Sequence, residues 1–524
     1  MNRKLRVFIT MPNTSWFGKR QWLVPPYTLA VLAAIVRNAG HEVSVLDPNL
    51  DNLSIEEVVG RIAEADPDVV GITAMSLEYA KGVSELTLAV KAQNPQRKLL
   101  VGGIFATTTP ELAMGNHAAD FAVLGEGEER IPRMLHLLAE GAEDFASFDG
   151  IAYWRDGELL VNRPARMIPD LDVIPQPAYD LVGLHRYSAT NHHFGNVYNA
   201  RYLPYAVTTT TRGCPFHCIY CSSHAIDGRQ VRQRSAENVL AEIDWLVKEW
   251  GIRELIFLDD QLNYDRKRFR AILGGLIERD YDLHWKAGNI TTFLLTPELI
   301  DLMAESKCYQ VIFPIESGNQ HVLDKVLKKP LKLDRVPELV RRCRELGMET
   351  AVDFVIGSPG ETWDQIRDSC NFADLLDADL TSFHIATPLP YTELYDLARE
   401  GGHLPEGFSF GNHDYFGFGR GCIATDQFTP NDLHILRALE WDRINFKTPE
   451  KKQRFAAMTG ITQEELEIWR RNTIRNLGLY FPKAENSSGT ETQKSAATRG
   501  SADGLLDKNG RFGKIIHLGE RSAS

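Results

Sequence analysis

The chain has 524 residues, 43% hydrophobic and 24% charged, with a formal net charge of −12. This is globular composition with material for several cores, and its acidic balance argues against a general binder of nucleic acid or anionic membrane. No apolar run approaches the ~18 residues of a membrane span. The start, MNRKLRVFITMP, reads as a buried strand ended by Pro12 rather than a signal peptide, so the expected location is cytoplasmic. Seven cysteines, an odd number, make no disulfide framework. In a reducing compartment a tight cysteine cluster points to metal binding or catalysis.

Along residues 5–140, apolar runs alternate with helical patterns. Strands are expected at 5–12, 41–48, 67–75, 98–103 and 121–128. Helices are expected at 27–40, stopped by Gly40, at 54–65, where Ser54 and Glu57 make a capping pattern, and at 80–95. Such alternation builds a doubly wound, Rossmann-like parallel sheet. Its ligands lie beyond the carboxyl ends of the strands. Residues 146–200 are rich in Pro, Tyr and His and read as a linker, with a small hairpin around Asp156-Gly157 in GIAYWRDGELLVNRP.

A second series follows, with strands expected at 205–211, 254–260, 284–289, 310–317, 350–357 and 380–387. Six βα units suggest a partial (βα)6 parallel barrel, with chemistry at the carboxyl ends of its strands. Residues 401–483 are expected to be mostly helical and to close the barrel bottom or the cleft. Residues 484–524 are polar and Ser/Thr/Gly-rich, and disorder is expected there. The α/β chain therefore divides into expected domains 1–145, 201–400 and 401–483, with 146–200 as linker.

The densest chemistry is TTTTRGCPFHCIYCSSHA, residues 208–225. Cys214, Cys218 and Cys221 have the spacing C-x3-C-x2-C directly after the first barrel strand, so all three thiolates share one loop at the chemical end. A structural zinc site takes four protein ligands. No fourth cysteine is near, although His217 and His224 are candidates to complete a zinc loop. On an iron–sulfur cube, three cysteines leave one iron open to a non-protein ligand. Residue types and spacing leave the cube, the zinc loop and three incidental cysteines open. Cys308, Cys343, Cys370 and Cys422 are scattered and read as small buried residues.

In this place RGCPFHCIYC resembles the cluster signature of the radical S-adenosylmethionine (SAM) superfamily, and the resemblance spans residues 205–390. It implies a [4Fe–4S] cluster on Cys214, Cys218 and Cys221, next to Tyr220, with the open iron chelated by SAM. Asp259 and Asp260 end the second barrel strand, where that family contacts the SAM amino group. IESGN (315–319) ends the fourth and offers Glu316 or Ser317 to ribose hydroxyls. FVIGSPGET (354–362) ends the fifth, where Gly357 admits a close approach of backbone to adenine. Arg232 and Arg234 are candidates to pair with the SAM carboxylate.

The preceding sheet resembles the cobalamin-binding domain of the B12-dependent branch of that superfamily. The resemblance is carried by VPPY (24–27), GITAMS (71–76), VGGIFATTTPE (101–111) and LGEGE (124–128). Gly102, Gly103 and Gly125, with Glu126, fall where a flat corrin approaches the backbone; Thr73, Ser76, Thr107 and Thr108 offer hydroxyls to its amides and nucleotide tail. The D-x-H-x-x-G string, whose His ligates cobalt in some cobalamin domains, is absent, which leaves the lower cobalt face unassigned.

Together these resemblances imply a class B cobalamin-dependent radical SAM methyltransferase. Its substrate would be a small biosynthetic intermediate, methylated at an unactivated carbon or at phosphorus. The implied route uses a 5′-deoxyadenosyl radical and methylcobalamin, with electrons from an external donor such as flavodoxin or ferredoxin and no nucleic-acid or membrane partner. The alternative is a B12-dependent cyclase or oxidative rearrangement enzyme without methyl transfer. A methylthiotransferase needs three further clustered cysteines before residue 200, and there are none. A non-enzymatic B12 sensor or zinc scaffold is the third reading. Candidate catalytic residues are His384 on the last strand and Tyr391 in TPLPYTELY. The run GNHDYFGFGRG (411–421) reads either as a lid or as a packed loop.

Overall fold

The computed structural model describes residues 3–19, 22–142, 144–164, 166–189, 198–417 and 419–476. The first sheet contains β1 (Arg6–Thr10), β2 (Glu42–Leu46), β3 (Val69–Ala74), β4 (Lys98–Gly102), β5 (Phe121–Val123), β6 (Ile151–Arg155) and β7 (Glu158–Asn162). Their order is β2-β1-β3-β4-β5-β6-β7, and β1 to β5 run parallel. Helices cover both faces of such a sheet, which is why its strands read as unbroken apolar runs. Phe8, Val70, Ile72, Leu99 and Val101 share one core with Val58 and Ile62 of the helix Ile55–Ala65 and Leu86 of the helix Ala80–Gln93. The expected capping box of Ser54 and Glu57 is present.

β6 and β7 are the hairpin expected in the linker. Asp156 and Gly157 have φ of 53° and 84°, the left-handed pair that a type I′ turn requires. β6 adds antiparallel to β5, so the first sheet continues past the boundary expected at 145.

The second sheet contains β8 (Tyr205–Thr208), β11 (Glu254–Phe257), β12 (His284–Ala287), β13 (Cys308–Glu316), β14 (Glu349–Ile356) and β15 (Leu380–Ile385). Two short strands, β9 (Thr211–Arg212) and β10 (Arg232–Gln233), form an antiparallel pair of their own. The six long strands lie in chain order and all run parallel, the arrangement of an open barrel. On β14 and β15, Phe354 and Phe383 are buried and stack with ring centroids 5.4 Å apart. The alternate residues Asp353, Val355, Ser382 and His384 are partly exposed and share the opposite, inner face.

The amino-terminal end of that inner face is filled. Lys286 and Glu254 are fully buried and pair at 3.5 Å. Tyr309 donates to Glu254 at 2.7 Å, Lys286 donates to the carbonyl of Asn199, and Arg201 pairs with Glu349 at 2.6 Å. Three helices follow residue 401: Pro430–Asn445, Pro449–Thr459 and Gln463–Asn476. They bring Phe446, Phe455 and Met458 onto Ile312, Ala351 and Leu380. The helical region therefore closes the barrel bottom. No helix among the described residues is long and apolar enough to cross a membrane. The tail expected to be disordered from 484 lies outside the described residues.

β15 is an edge strand, and an edge presents unpaired backbone groups that need cover. The helix Pro430–Asn445 supplies it. Asn445 accepts from Thr381 N at 2.7 Å and donates to Thr381 O at 2.8 Å, and Arg437 donates to Phe383 O at 2.5 Å. Asn445→Ala strands two buried backbone groups, and is expected to cost about 1–3 kcal/mol. A urea midpoint equal to that of the unaltered chain would contradict this account of the edge.

Candidate cofactor cleft

The carboxyl ends of the first sheet and of β8 and β11 open onto one cleft of about 520 Å³. Met11, Thr73, Met75, Gly102, Gly103, Thr107 and Gly125 line it from the first sheet, with Pro25 and Pro26 of the VPPY segment. Thr209, Thr211, Arg212, Asp227, Leu258 and Asp260 line it from the second. The cleft continues as an apolar slot between Val7, Ile9, Val69 and Leu100 of the sheet and Leu32, Val36, Ile131 and Leu135 of flanking helices. A side chain at Gly71, which lines that slot, would meet nothing within 4 Å. At Gly103, with φ +83°, a Cβ would stand 2.5 Å from Ala74 O and 2.6 Å from Thr73 Oγ1, so only glycine fits. A mouth without side chains above a deep apolar slot suits a flat corrin and its nucleotide tail.

The hydroxyls sort differently from expectation. Thr107 donates to Gly103 O at 2.9 Å and accepts from Gly125 N at 2.9 Å, bracing two glycines of the mouth. Thr108 is turned into its own helix, donating to Ile104 O at 2.8 Å. Ser76 caps the turn Leu77–Tyr79 by accepting from Glu78 N at 3.1 Å. Neither Thr108 nor Ser76 lines the cleft.

Glu126 lines the cleft, but its carboxylate is consumed within the protein. It accepts from Arg212 at 2.9 Å, from Arg232 at 2.6 Å and from Ile168 N at 2.6 Å. Burial alone would raise its pKa; the backbone N–H and the two guanidiniums hold it below the ordinary value. Glu128 takes the other arm of Arg212. Arg232 is thus a bridge between the sheets rather than a partner for a SAM carboxylate. Arg234 is equally spoken for, pairing with buried Glu242 at 2.6 Å.

Cys214, Cys218 and Cys221 are half-buried on the loop between β9 and the helical turn Ser223–Ile226. Burial pushes all three thiols up, Cys221 to about 12; Cys214 also feels Cys218, and Cys221 feels both others. Among the described residues no group of three or more His, Cys, Asp and Glu side chains is placed to hold a metal ion. Thiolates on three irons of a cube stand wider apart than three ligands on one ion. His224 faces the carbonyls of Cys221 and Tyr391, which draws it away from a zinc set.

Two further residues touch this loop and carry no sequence signal of their own. Gln261 donates to Cys214 Sγ at 3.2 Å and accepts from Thr291 at 2.9 Å. Lys329 pairs with Glu316 at 3.0 Å and opposes the effect of burial on Cys218. In sequence, Gln261 is only the residue after the acidic pair, and Lys329 sits in a lysine-rich stretch that reads as solvated.

Of the acidic pair, Asp260 lines the cleft and accepts from Ser223 at 2.7 Å. Asp259 is turned inward, accepting from Thr210 N and Oγ1 at 2.8 and 2.7 Å. Glu316 has φ 72°, and its carboxylate meets Lys329 and Tyr220. Ser317 is fully buried against Ser369 at 3.2 Å and caps Asn319 N, so its hydroxyl is not presented to a ribose. At Gly357, φ 90°, the backbone itself favours glycine, and a Cβ would also meet the Leu433 side chain of the covering helix. His384 lies 3.8 Å from Asp353 on the inner barrel face. Tyr391 is exposed at the mouth, with Arg163 5.5 Å from its ring centre. Within the aromatic run, Phe416 is buried in the core of the first sheet and Tyr415 packs against that core.

Two sheets that direct their strand ends into one cleft, with three thiols on a loop beside it, define a two-domain enzyme that works through bound cofactors. Residues 17–135 match the B12 binding domain, and residues 208–373 match the radical SAM superfamily. An uncharacterized methyltransferase of Pyrococcus horikoshii is 32% identical over 398 residues, covering 75% of this chain and 83% of the relative. Cytidylyl-2-hydroxyethylphosphonate methyltransferase of Streptomyces wedmorensis is 30% identical over 434 residues, covering 73% and 79%. An anaerobic magnesium-protoporphyrin IX monomethyl ester cyclase of Rubrivivax gelatinosus is 27% identical over 420 residues, covering 78% and 72%. In fold, the radical SAM methyltransferase TsrM of Kitasatospora setae aligns with a TM-score of 0.66 at 18% identity, over 90% of this chain and 100% of that one. The chain belongs to the cobalamin-dependent radical SAM enzymes, of the class B methyltransferase-like kind. Its cofactors are cobalamin, a [4Fe–4S] cluster and SAM.

Glu361 fixes the turn after β14, accepting from Gly357 N at 2.7 Å and Ser358 N at 3.2 Å. Its other oxygen is buried without a partner, and burial raises it to about 7. A raised carboxyl contributes stability below its unfolded value and loses it as pH rises through 7. Glu361→Gln keeps an acceptor for both amides and removes the titration. Between about pH 5 and 8 the variant is expected to lose on the order of 2 kcal/mol less stability than the unaltered chain. Urea midpoints at the two pH values check this, and identical pH slopes would refute it.

Proposed function

We propose that this chain transfers a methyl group to an unactivated carbon, or to phosphorus, of a small biosynthetic intermediate. The observation that carries this reading is the shared cleft, because a methyl donor held by the first sheet and chemistry at the barrel mouth meet there. The cluster would sit on Cys214, Cys218 and Cys221, with Asp260, Glu316, Tyr220 and the Gly357 turn around SAM. Thr73, Gly102, Gly103 and Gly125 would face the corrin. Bound together, these cofactors supply a 5′-deoxyadenosyl radical to remove hydrogen and methylcobalamin as the methyl source. The chain's own share is orientation and the exclusion of water. The filled barrel floor leaves the cleft side as the route for substrate to the inner face, where Asp353 and His384 wait. An external one-electron donor such as flavodoxin or ferredoxin and a cytoplasmic setting complete the proposal.

The relatives that favour methyl transfer are the two methyltransferases at 32% and 30% identity. The cyclase relative keeps ring closure without methyl transfer as the second reading. Product mass separates the two, since methylation adds CH2. Reduced, reconstituted enzyme with SAM and cobalamin is expected to form 5′-deoxyadenosine and S-adenosylhomocysteine together once a substrate is supplied. Phosphonates joined to a nucleotide are the first class to try, given the second relative's name. 5′-Deoxyadenosine alone, with substrate consumed and no product heavier by CH2, would sink methyl transfer.

Cys218→Ala separates the two cofactor sites. It is expected to lose iron and SAM cleavage while keeping cobalamin. A variant that retains four irons and cleaves SAM would remove Cys218 from the cluster.

A further inference from the structure

Asp227 follows the helical turn Ser223–Ile226 at the end of the cysteine loop, and it lines the cleft from the barrel side. Its backbone carbonyl accepts from Arg232 at 2.9 Å. Among the described residues its carboxyl oxygens have no hydrogen-bond partner. Every other acid at this floor is engaged: Glu126 with Arg212, Arg232 and Ile168 N, Glu128 with Arg212, Asp259 with Thr210 and Asp260 with Ser223. Asp227 is partly exposed where it lines the cleft, so a ligand seated there can reach its carboxyl group.

The charge state of Asp227 says what kind of ligand fits. Burial raises it, Asp260 and Glu126 add to the rise, and Arg212 and Arg232 oppose it, with a net value of about 7. Near neutral pH much of it carries its proton, so it offers one O–H donor and one free acceptor oxygen. A carboxamide offers the complement, an acceptor C=O and a donor N–H. A corrin carries carboxamides around its rim, and the cleft that Asp227 faces is also lined by Gly125 and Gly127 of the first sheet.

We propose that Asp227 is a cobalamin contact supplied by the radical SAM domain, pairing through two hydrogen bonds with a peripheral carboxamide of the corrin. Cobalamin is then gripped from both sheets, and its orientation toward the barrel mouth is set by the barrel itself. This rests on cobalamin occupying the shared cleft. A cationic ligand, such as the SAM ammonium, would instead call for an ionised carboxylate.

The test uses full-length, cluster-reconstituted protein and hydroxocobalamin as probe, with affinity read by equilibrium titration. Binding to the unaltered chain tests the shared-cleft reading by itself. Asp227→Asn keeps a donor and an acceptor, and its dissociation constant is expected within about threefold of the unaltered value. Asp227→Leu loses both bonds and is expected to weaken binding by about tenfold or more. Iron content and SAM affinity should hold in both variants. If the Leu variant fails to fold, Asp227→Ala removes the same two bonds without added bulk. Unchanged cobalamin affinity in the Leu or Ala variant overturns the contact. Equal loss in Asn and Leu overturns the carboxamide pairing. A loss of SAM affinity in Asn with cobalamin affinity intact assigns Asp227 to SAM instead.

Discussion

The buried carboxylate of Glu126 ties the two halves of the cleft together. One oxygen accepts from both Arg212 and Arg232, and the other from Ile168 N. Arg212 lies two residues before Cys214, so the ion network that holds the GEGE loop also sets where the cysteine loop begins. Buried charge is tolerated only when its partners replace water, and removing one partner leaves the others exposed to the full desolvation cost. Each carboxylate and guanidinium in this network has such partners. Charge-assisted bonds therefore help to fix the first sheet's loops against the cysteine loop.

The barrel floor imposes the complementary constraint. Chain entering β8 passes Asn199 and Arg201 against the inner face, where Lys286, Glu254, Glu349 and Tyr309 satisfy one another. The last helices seal what remains with Phe446, Phe455 and Met458. A polar lining paired to this extent, with Glu349 Oε2 left over, can be buried without a ligand; the upper inner face, with Asp353 and His384 partly exposed, is not closed in this way. The floor is thus structural and the mouth is chemical, the division expected when reactive groups gather at the carboxyl ends of strands.

The strands and the cysteine loop were legible because each depends on local information: apolar runs bounded by turns, and three thiols at fixed spacing. Which of two neighbours faces a ligand was not. Asp259 and Asp260, Thr107 and Thr108, and Glu316 and Ser317 are adjacent pairs of similar chemistry, and one residue of twist sends one to the cleft and the other into a cap or core. The hairpin at Asp156-Gly157 was visible, but its attachment to β5 is a nonlocal pairing that no turn signal encodes. The same holds for Phe416, whose partners lie in the first sheet more than 250 residues earlier. Glu126 reads in sequence as a corrin neighbour, and its bonds to Arg212 and Arg232 are invisible there because those arginines come from a different sheet.

The end of β13 shows how backbone shape decides the chemistry of a single acid. Pairing with β14 slips between Pro314 and Glu316, and Glu316 takes φ 72°, a region that a residue with a Cβ seldom adopts. A bulge of this kind re-aims a side chain at a strand end. The carboxylate of Glu316 swings onto Lys329 and the Tyr220 hydroxyl. That places a lysine near Cys218, where burial and the Glu316 charge favour the thiol and the cation favours the thiolate. The bulge thus sets both charges that Cys218 feels from this strand end, the carboxylate and the lysine paired with it.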